Sequence, residues 1–384
     1  MNDQELLAPL RELEPPPTNA DLVTDAVRRG RLVRRRRSRT LAGTAGVVAL
    51  ALAGAGVAVA VSPDAPPRKV GAAPSAAATA LRTAGRPPTT APQRFDPATM
   101  WFSLGWRPDR GTYWQLDTSE YRQRIRWLAG DPGAGAAAGG SVAVELFAGG
   151  AGWEDPLNDG IGAGLDDRPA NREPPHGTTG PTIDGTPSYW LDSGFAGAEL
   201  AWQWAPGAYA VVAVDRLGGA DDRATALRLV RAITVRREAV RLPFRMAAPP
   251  KTLPLRAVHA YLSGADYGAT VTYSERASML GPTRAARMVA FQLLADDRRG
   301  SNGNHKIPDP NTTIDGHPAW YSTSSFGNES TWLYDVSGNL IKVDTWDAHG
   351  TEQLGGAGST TRYAKRIHPV SDPTDRAGWA AMPH

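Results

Sequence analysis

Nine consecutive positions, Thr182 to Trp190, align without gaps on Thr313 to Tyr321. The offset of 131 persists to Phe195 on Phe326 and to Gly207 on Gly338. A Thr-Ile-Asp-Gly-x-Pro turn followed by an aromatic pair, recurring in register, marks a duplicated structural unit. Whatever fold the second copy adopts, the first must also adopt. The flanks agree in type: Ser141 to Phe147 (SVAVELF) and Arg287 to Leu294 (RMVAFQLL) both read as strands. Glu199 to Trp204 and Tyr209 to Asp215, joined at Pro206-Gly207, form a predicted hairpin. Its counterpart is Ser330 to Val336 with Leu340 to Thr345, joined through Ser337-Gly338-Asn339. Helical spacing of Ala224, Leu227, Val230 and Ile233 predicts a helix over Asp221 to Ile233, with a more polar version around Ser359 to Ile367. The expected fold class is therefore α+β: two tandem repeats, 95–240 and 241–384, each an antiparallel sheet with a terminal helix. Whether the repeats share one sheet or form a pseudo-symmetric pair is left open by the pattern.

A different kind of segment precedes them. From Thr40 to Val61 no residue is charged, and 22 residues at helical rise reach about 33 Å, enough for a transmembrane helix. Arg34, Arg35, Arg36, Arg37 and Arg39 stand directly before it, and Arg28, Arg29 and Arg31 a little earlier. The positive-inside rule then places residues 1–39 in the cytoplasm and everything beyond 62 outside it, on a single-pass cell-membrane protein. A cleaved signal peptide is the competing reading, because Ala58-Val59-Ala60 imitates a cleavage site. The long leading segment and the length of the apolar run argue against it. Gly43, Gly46, Gly54 and Gly56 within the run are explained by a composition rich in small residues.

The arm 1–39 carries two apolar stripes, Leu6, Leu7, Leu10 and Leu13, then Leu22, Val23, Ala26 and Val27. An arm this short cannot bury them within itself, so lipid headgroups or a cytoplasmic protein are the expected partners. Residues 62–94 are rich in Pro and Ala and read as an extended stalk. In this order of parts, residues 1–94 resemble single-pass actinobacterial envelope proteins, which have an Arg-rich cytoplasmic arm, one span, a Pro/Ala stalk and an external domain. Some proteins of that layout restrain an extracytoplasmic-function sigma factor. The resemblance implies a regulator whose arm binds a sigma factor, although the arm lacks the His and Cys ligands of a zinc-containing anti-sigma domain.

Charge and composition exclude other classes. The chain totals +3, but residues 1–39 carry nine Arg against six acids and residues 62–94 carry five basic residues against one acid. The part from 95 onward is therefore +3 − 3 − 4 = −4. The acidic external part disfavours a nucleic-acid binder, and the arm offers no helix-turn-helix and sets its Arg run against the bilayer, so no nucleic-acid partner is expected. With no Cys, thiol catalysis and Cys-ligated metals are excluded, and no HExxH or similar motif suggests another metal or cofactor.

All 12 Trp follow Phe95, and aromatic platforms can hold an envelope ligand. Trp153, Trp202, Trp204 and Trp320 are the ligand-binding candidates, with Trp153 and Trp379 expected to be exposed in loops. The segment Gly152 to Pro181 is the longest difference between the copies and offers Asp155, Asp159, Gly160 and Asp166 near calcium-loop spacing. Leu157, however, occupies a position that needs oxygen. Asp184 and Asp315 recur in the turn and are assigned a structural role. No nucleophile elbow or phosphate loop is present, and His305 or His317 with a nearby Asp is the remaining catalytic option. The expectation is a membrane-anchored extracytoplasmic binding or sensing protein rather than an enzyme, with a transmembrane regulator as the alternative.

Overall fold

Short runs of alternating apolar and polar side chains set the period of a strand, and the chain folds accordingly. The computed structural model describes residues 81–84, 88–108, 113–129, 140–149, 177–191, 197–215, 221–246, 250–275, 288–295 and 307–382. The arm 1–39, with its arginines 34–37 and 39, and the apolar run 40–61 lie outside the described residues.

The first half contributes β1 (Thr99–Leu104), β2 (Tyr113–Ser119), β3 (Arg122–Leu128), β4 (Ser141–Phe147), β5 (Thr178–Thr179), β6 (Ser188–Trp190), β7 (Ala198–Ala205), β8 (Ala208–Asp215), α1 (Asp222–Ala232) and β9 (Ile233–Ala239). The second half contributes β10 (Arg241–Leu242), β11 (Phe244–Met246), β12 (Leu255–Ser263), β13 (Asp266–Ser274), β14 (Met288–Ala295), β15 (Thr312–Ile314), β16 (His317–Thr323), β17 (Glu329–Leu333) and β18 (Asn339–Thr345). It ends with α2 (Ala348–Gln353), α3 (Ser359–Ala364), β19 (Ile367–Pro369) and β20 (Ala380–Ala381).

Fourteen of these strands form one antiparallel sheet, ordered β15-β16-β17-β18-β14-β13-β12-β2-β3-β4-β8-β7-β6-β5. Read outward from the centre, the two sides follow the same order. They meet where β2 pairs with β12, from Tyr113 opposite Ser263 to Ser119 opposite Ala257. The expected α+β class, two tandem repeats of an antiparallel sheet with a terminal helix, preceded by one transmembrane helix, is therefore corrected, and the open choice between one sheet and a pair is settled as one sheet. Among the described residues the molecule is mostly β, its large sheet is continuous across both halves, and no helix is long and apolar enough to cross a membrane. Two physical causes account for the difference. The β2–β12 ladder satisfies backbone groups that would otherwise be open edges. The second helical region is cut into short pieces because Gly355, Gly356 and Gly358 all adopt positive φ.

Helix α1 begins at Asp221, whose carboxylate accepts from the amides of Arg223 and Ala224. Ala226, Leu229 and Val230 are its buried side chains. This shifts the apolar stripe expected from Ala224 and Leu227. In the repeated turns, Asp184 (φ 47°) with Gly185 (86°) and Asp315 (φ 50°) with Gly316 (83°) place both central residues in the left-handed region. That is the tight hairpin geometry Asp-Gly favours. The Asp184 carboxylate accepts from the Thr83 amide at 3.1 Å and its hydroxyl at 2.6 Å, whereas Asp315 accepts from Lys365 Nζ at 2.7 Å. Leu81 is buried and bridges Ile183, so this piece of the segment 62–94 packs on the sheet.

The sheet has two unlike faces. Val142, Val144, Leu146, Leu200, Val212, Val258, Val271, Phe291 and Val343 belong to one continuous core on one face. The opposite face carries an ionic chain across the seam between halves. His259 Nδ1 lies 2.7 Å from Asp117 Oδ1, Arg124 Nε donates to Asp117 Oδ2 at 2.9 Å, and Arg124 Nη1 lies 3.6 Å from Glu145 Oε1. Burial pushes the Asp117 carboxyl upward, but the His259 hydrogen bond and the charges of Arg124 and Arg122 outweigh it and hold its pKa well below the ordinary range.

Candidate functional site: an aromatic cavity under the first ribbon

Strands β1 and β9 pair as a separate two-stranded ribbon that lies over the apolar face of the first half. Its attachment is uneven. At one end, buried Gln123 of β3 accepts from the Trp101 amide at 2.8 Å and donates to the Thr99 carbonyl at 2.6 Å, while Thr118 Oγ1 of β2 donates to Pro97 O at 2.6 Å. Beyond this clamp, a cavity of about 670 Å³ separates ribbon and sheet, inside the range of about 300–1,000 Å³ for small-molecule sites.

Its floor is two cross-strand pairs, Leu116 opposite Ile125 and Trp114 opposite Trp127. Met100, Phe102 and Leu104 of β1 line it from the ribbon, and Trp106 and Trp379 complete the aromatic wall. Trp114 (8% exposed) and Trp127 (5%) are buried, yet neither indole Nε1–H has a hydrogen-bond partner among the described residues. Such a donor costs about 1–3 kcal/mol until an acceptor reaches it.

The C-terminal segment closes one wall. β20 pairs with β10, and the Trp379 indole meets the Trp114 ring edge-on at 5.7 Å. Trp379 is only 1% exposed, which corrects its expected placement in an exposed loop. It is locked by Nε1 donating to Pro373 O at 2.8 Å and by Arg241 donating to its carbonyl at 3.1 Å.

Arginines surround the opening. Arg376 lies over the Trp114 ring at 4.4 Å, and Arg107, Arg236 and Arg241 line the same cavity with Glu238 as the acid among them. Arg236 is engaged by Glu238 and by Ser103 Oγ at 3.0 Å. Desolvation against the aromatic wall, followed by the positive charge of Arg107, draws the Arg376 guanidinium pKa downward.

Of the tryptophans expected from sequence to bind a ligand, Trp202, Trp204 and Trp320 do not line this cavity. Trp202 is packed in the core between Ser188 and Ala210. Trp204 donates Nε1 to Phe147 O at 3.0 Å and packs against Phe95 and Trp101. Trp320 meets Trp332 at 5.9 Å on the β16–β17 pair, far along the sheet order from β2 and β3. Trp153, His305 and the acidic segment at 155–167 lie outside the described residues. Sequence reasoning missed Trp106, Trp114 and Trp127. The available signal was alternation, with Trp114, Leu116 and Thr118 sharing one face of β2 and Gln123, Ile125 and Trp127 the facing side of β3.

No protein-family model and no curated protein matches the chain. Solved structures found to be similar include the crystal structure of MucB in complex with MucA(peri), at 12% identity, and the MucA/MucB complex of Pseudomonas aeruginosa, at 11%. Each alignment covers 67% of this chain and 93% of the other, with a TM-score of 0.19. A superposition that loose carries no argument about fold or partner.

Proposed function

We propose that the chain is an extracytoplasmic binding or sensing protein of the cell envelope, whose ligand site is the cavity of the first half. It is a binder and not a catalyst. The observation that carries this reading is a preformed aromatic hollow in which two buried indole N–H groups await an acceptor. The location rests on the sequence before residue 62, with arginines 34–37 and 39 on the cytoplasmic side. Saturable binding of the fluorescent probe 1-anilinonaphthalene-8-sulfonate to the full chain, abolished by Ile125→Trp in a protein of unchanged circular dichroism, is the expected result for the site. Probe binding unaffected by that substitution counts against it. For the location, protease added to intact spheroplasts should digest residues from 95 onward, and their protection would overturn it.

A second reading is carried by the two apolar stripes of residues 1–39: a transmembrane regulator whose arm holds a sigma factor or similar cytoplasmic protein. Pull-down with the arm separates the two readings, since the regulator requires a specific partner and the binding protein does not.

A further inference from the structure

The cavity also constrains the chemistry of what fills it. Within its floor and ribbon wall, Leu116, Ile125, Met100 and Phe102 offer apolar contact, which suits a hydrocarbon body. The Trp114 and Trp127 donors require an oxygen acceptor beside that body. At the mouth, Arg241 is engaged with the Trp379 carbonyl and Arg236 with Glu238. Arg107 and Arg376 have no carboxylate partner among the described residues, and Arg376 rests on the same Trp114 ring whose N–H is unmatched. Acceptor demand and positive charge thus meet at the Trp114 ring, beside the apolar part of the lining. A neutral hydrocarbon would leave the donors and cations unanswered, and a free inorganic anion would leave that apolar part uncovered.

Resting on the cavity being the ligand site, we propose that its ligand is an anionic amphiphile: an acyl chain laid along the Leu116–Ile125 floor, its acidic head accepting from the Trp114 and Trp127 indoles beside Arg107 and Arg376. Charge complementarity adds selectivity to the affinity that apolar burial provides. The chain enters from the side where the ribbon is not clamped by Gln123.

The test uses the full-length protein in phosphatidylcholine nanodiscs, with dibrominated stearate as an acidic quencher of tryptophan fluorescence and its methyl ester as the neutral counterpart. The expected result is saturable quenching by the acid at least about tenfold tighter than by the ester. Arg107→Gln with Arg376→Gln should erase that preference while leaving ester quenching in place. Trp114→Phe with Trp127→Phe should weaken the acid more than the ester. Equal affinity for acid and ester overturns the anionic class and leaves the cavity reading standing. Absence of saturable quenching by both, in protein with native circular dichroism, overturns the cavity reading itself. Displacement of the acid by millimolar inorganic phosphate alone would show that the anion suffices, and would overturn the amphiphile.

Discussion

The two halves of the sheet place different side chains at equivalent cross-strand positions. Counting from the β2–β3 and β12–β13 hairpins, Trp114 opposite Trp127 corresponds to Val258 opposite Val271. Leu116 opposite Ile125 corresponds to Ala260 opposite Ala269, and Thr118 opposite Gln123 to Leu262 opposite Tyr267. In the second half, Phe291 is wedged between Tyr273 at 5.7 Å and Tyr363 at 5.5 Å, so aromatic rings from strand and helix are in direct contact over this face. In the first half, large rings stand around an opening instead. A duplicated frame can thus be packed tight in one copy while the other is released for binding, because the sheet order fixes the backbone and leaves the inward positions free to change.

The largest test of this contrast is a pair of truncations. Phe291→Ala should cost about 3–5 kcal/mol. Trp106→Ala should cost about half of that, because its ring is only partly buried and lines the cavity, so it has fewer contacts to lose. Urea unfolding midpoints of the two variants measure the difference, and equal losses would mean that the halves are packed alike.

Next in size is the clamp. Gln123→Leu strands the Trp101 amide and should cost about 2–3 kcal/mol. Tyr267→Phe at the equivalent position loses only its bond to Asn339 Oδ1 and should cost about 1 kcal/mol. The Gln123 variant should also weaken ligand binding, since the ribbon that roofs the cavity is freed at its fixed end.

The seam between halves has its own pH signature. The Asp117 carboxyl titrates well below its unfolded value of about 3.9. Its stabilisation is therefore complete above about pH 4 and is lost as pH falls toward the folded value. Urea midpoints measured between pH 7 and pH 3 should fall at the acidic end, and Asp117→Asn should flatten that fall. The smallest effect separates the repeated turns. Asp184→Asn weakens two bonds that tie down Thr83 and should cost about 1 kcal/mol. Asp315→Asn removes only an exposed pair with Lys365 and should cost a few tenths, roughly. Thermal melts of the two variants check the order.

Much of the strand pattern was legible because period-2 alternation and the Asp-Gly turns are local properties: the hairpin at Pro206-Gly207 and the paired turns at Asp184 and Asp315 are encoded within a few residues. The continuous sheet was not legible, since nothing in Tyr113 to Ser119 announces a partner at Leu255 to Ser263. The site was least legible of all. Trp202 and Trp204 stand among the candidates from sequence, but Trp202 faces the core and Trp204 already has an acceptor. Trp114 and Trp127 become neighbours only once β2 and β3 pair, and only the packing around them leaves their buried donors unmatched. Trp379 looked exposed because its local sequence is turn-like, yet a distant strand pairing buries it.

That pairing has a consequence for the order of events during synthesis. The wall made by Arg376 and Trp379 stands on Trp114, 265 positions earlier in the chain. While the chain is being made, strands β2 and β3 can pair as soon as they emerge, but the Trp114 ring waits for the whole second sheet half to be made before its neighbour arrives. Until then the nascent first half presents an indole-lined surface to its surroundings, the kind of transient apolar exposure that invites misassembly or a folding helper. Completion of the binding half thus waits on the synthesis of the second half, governed by the arrival of Arg376 and Trp379.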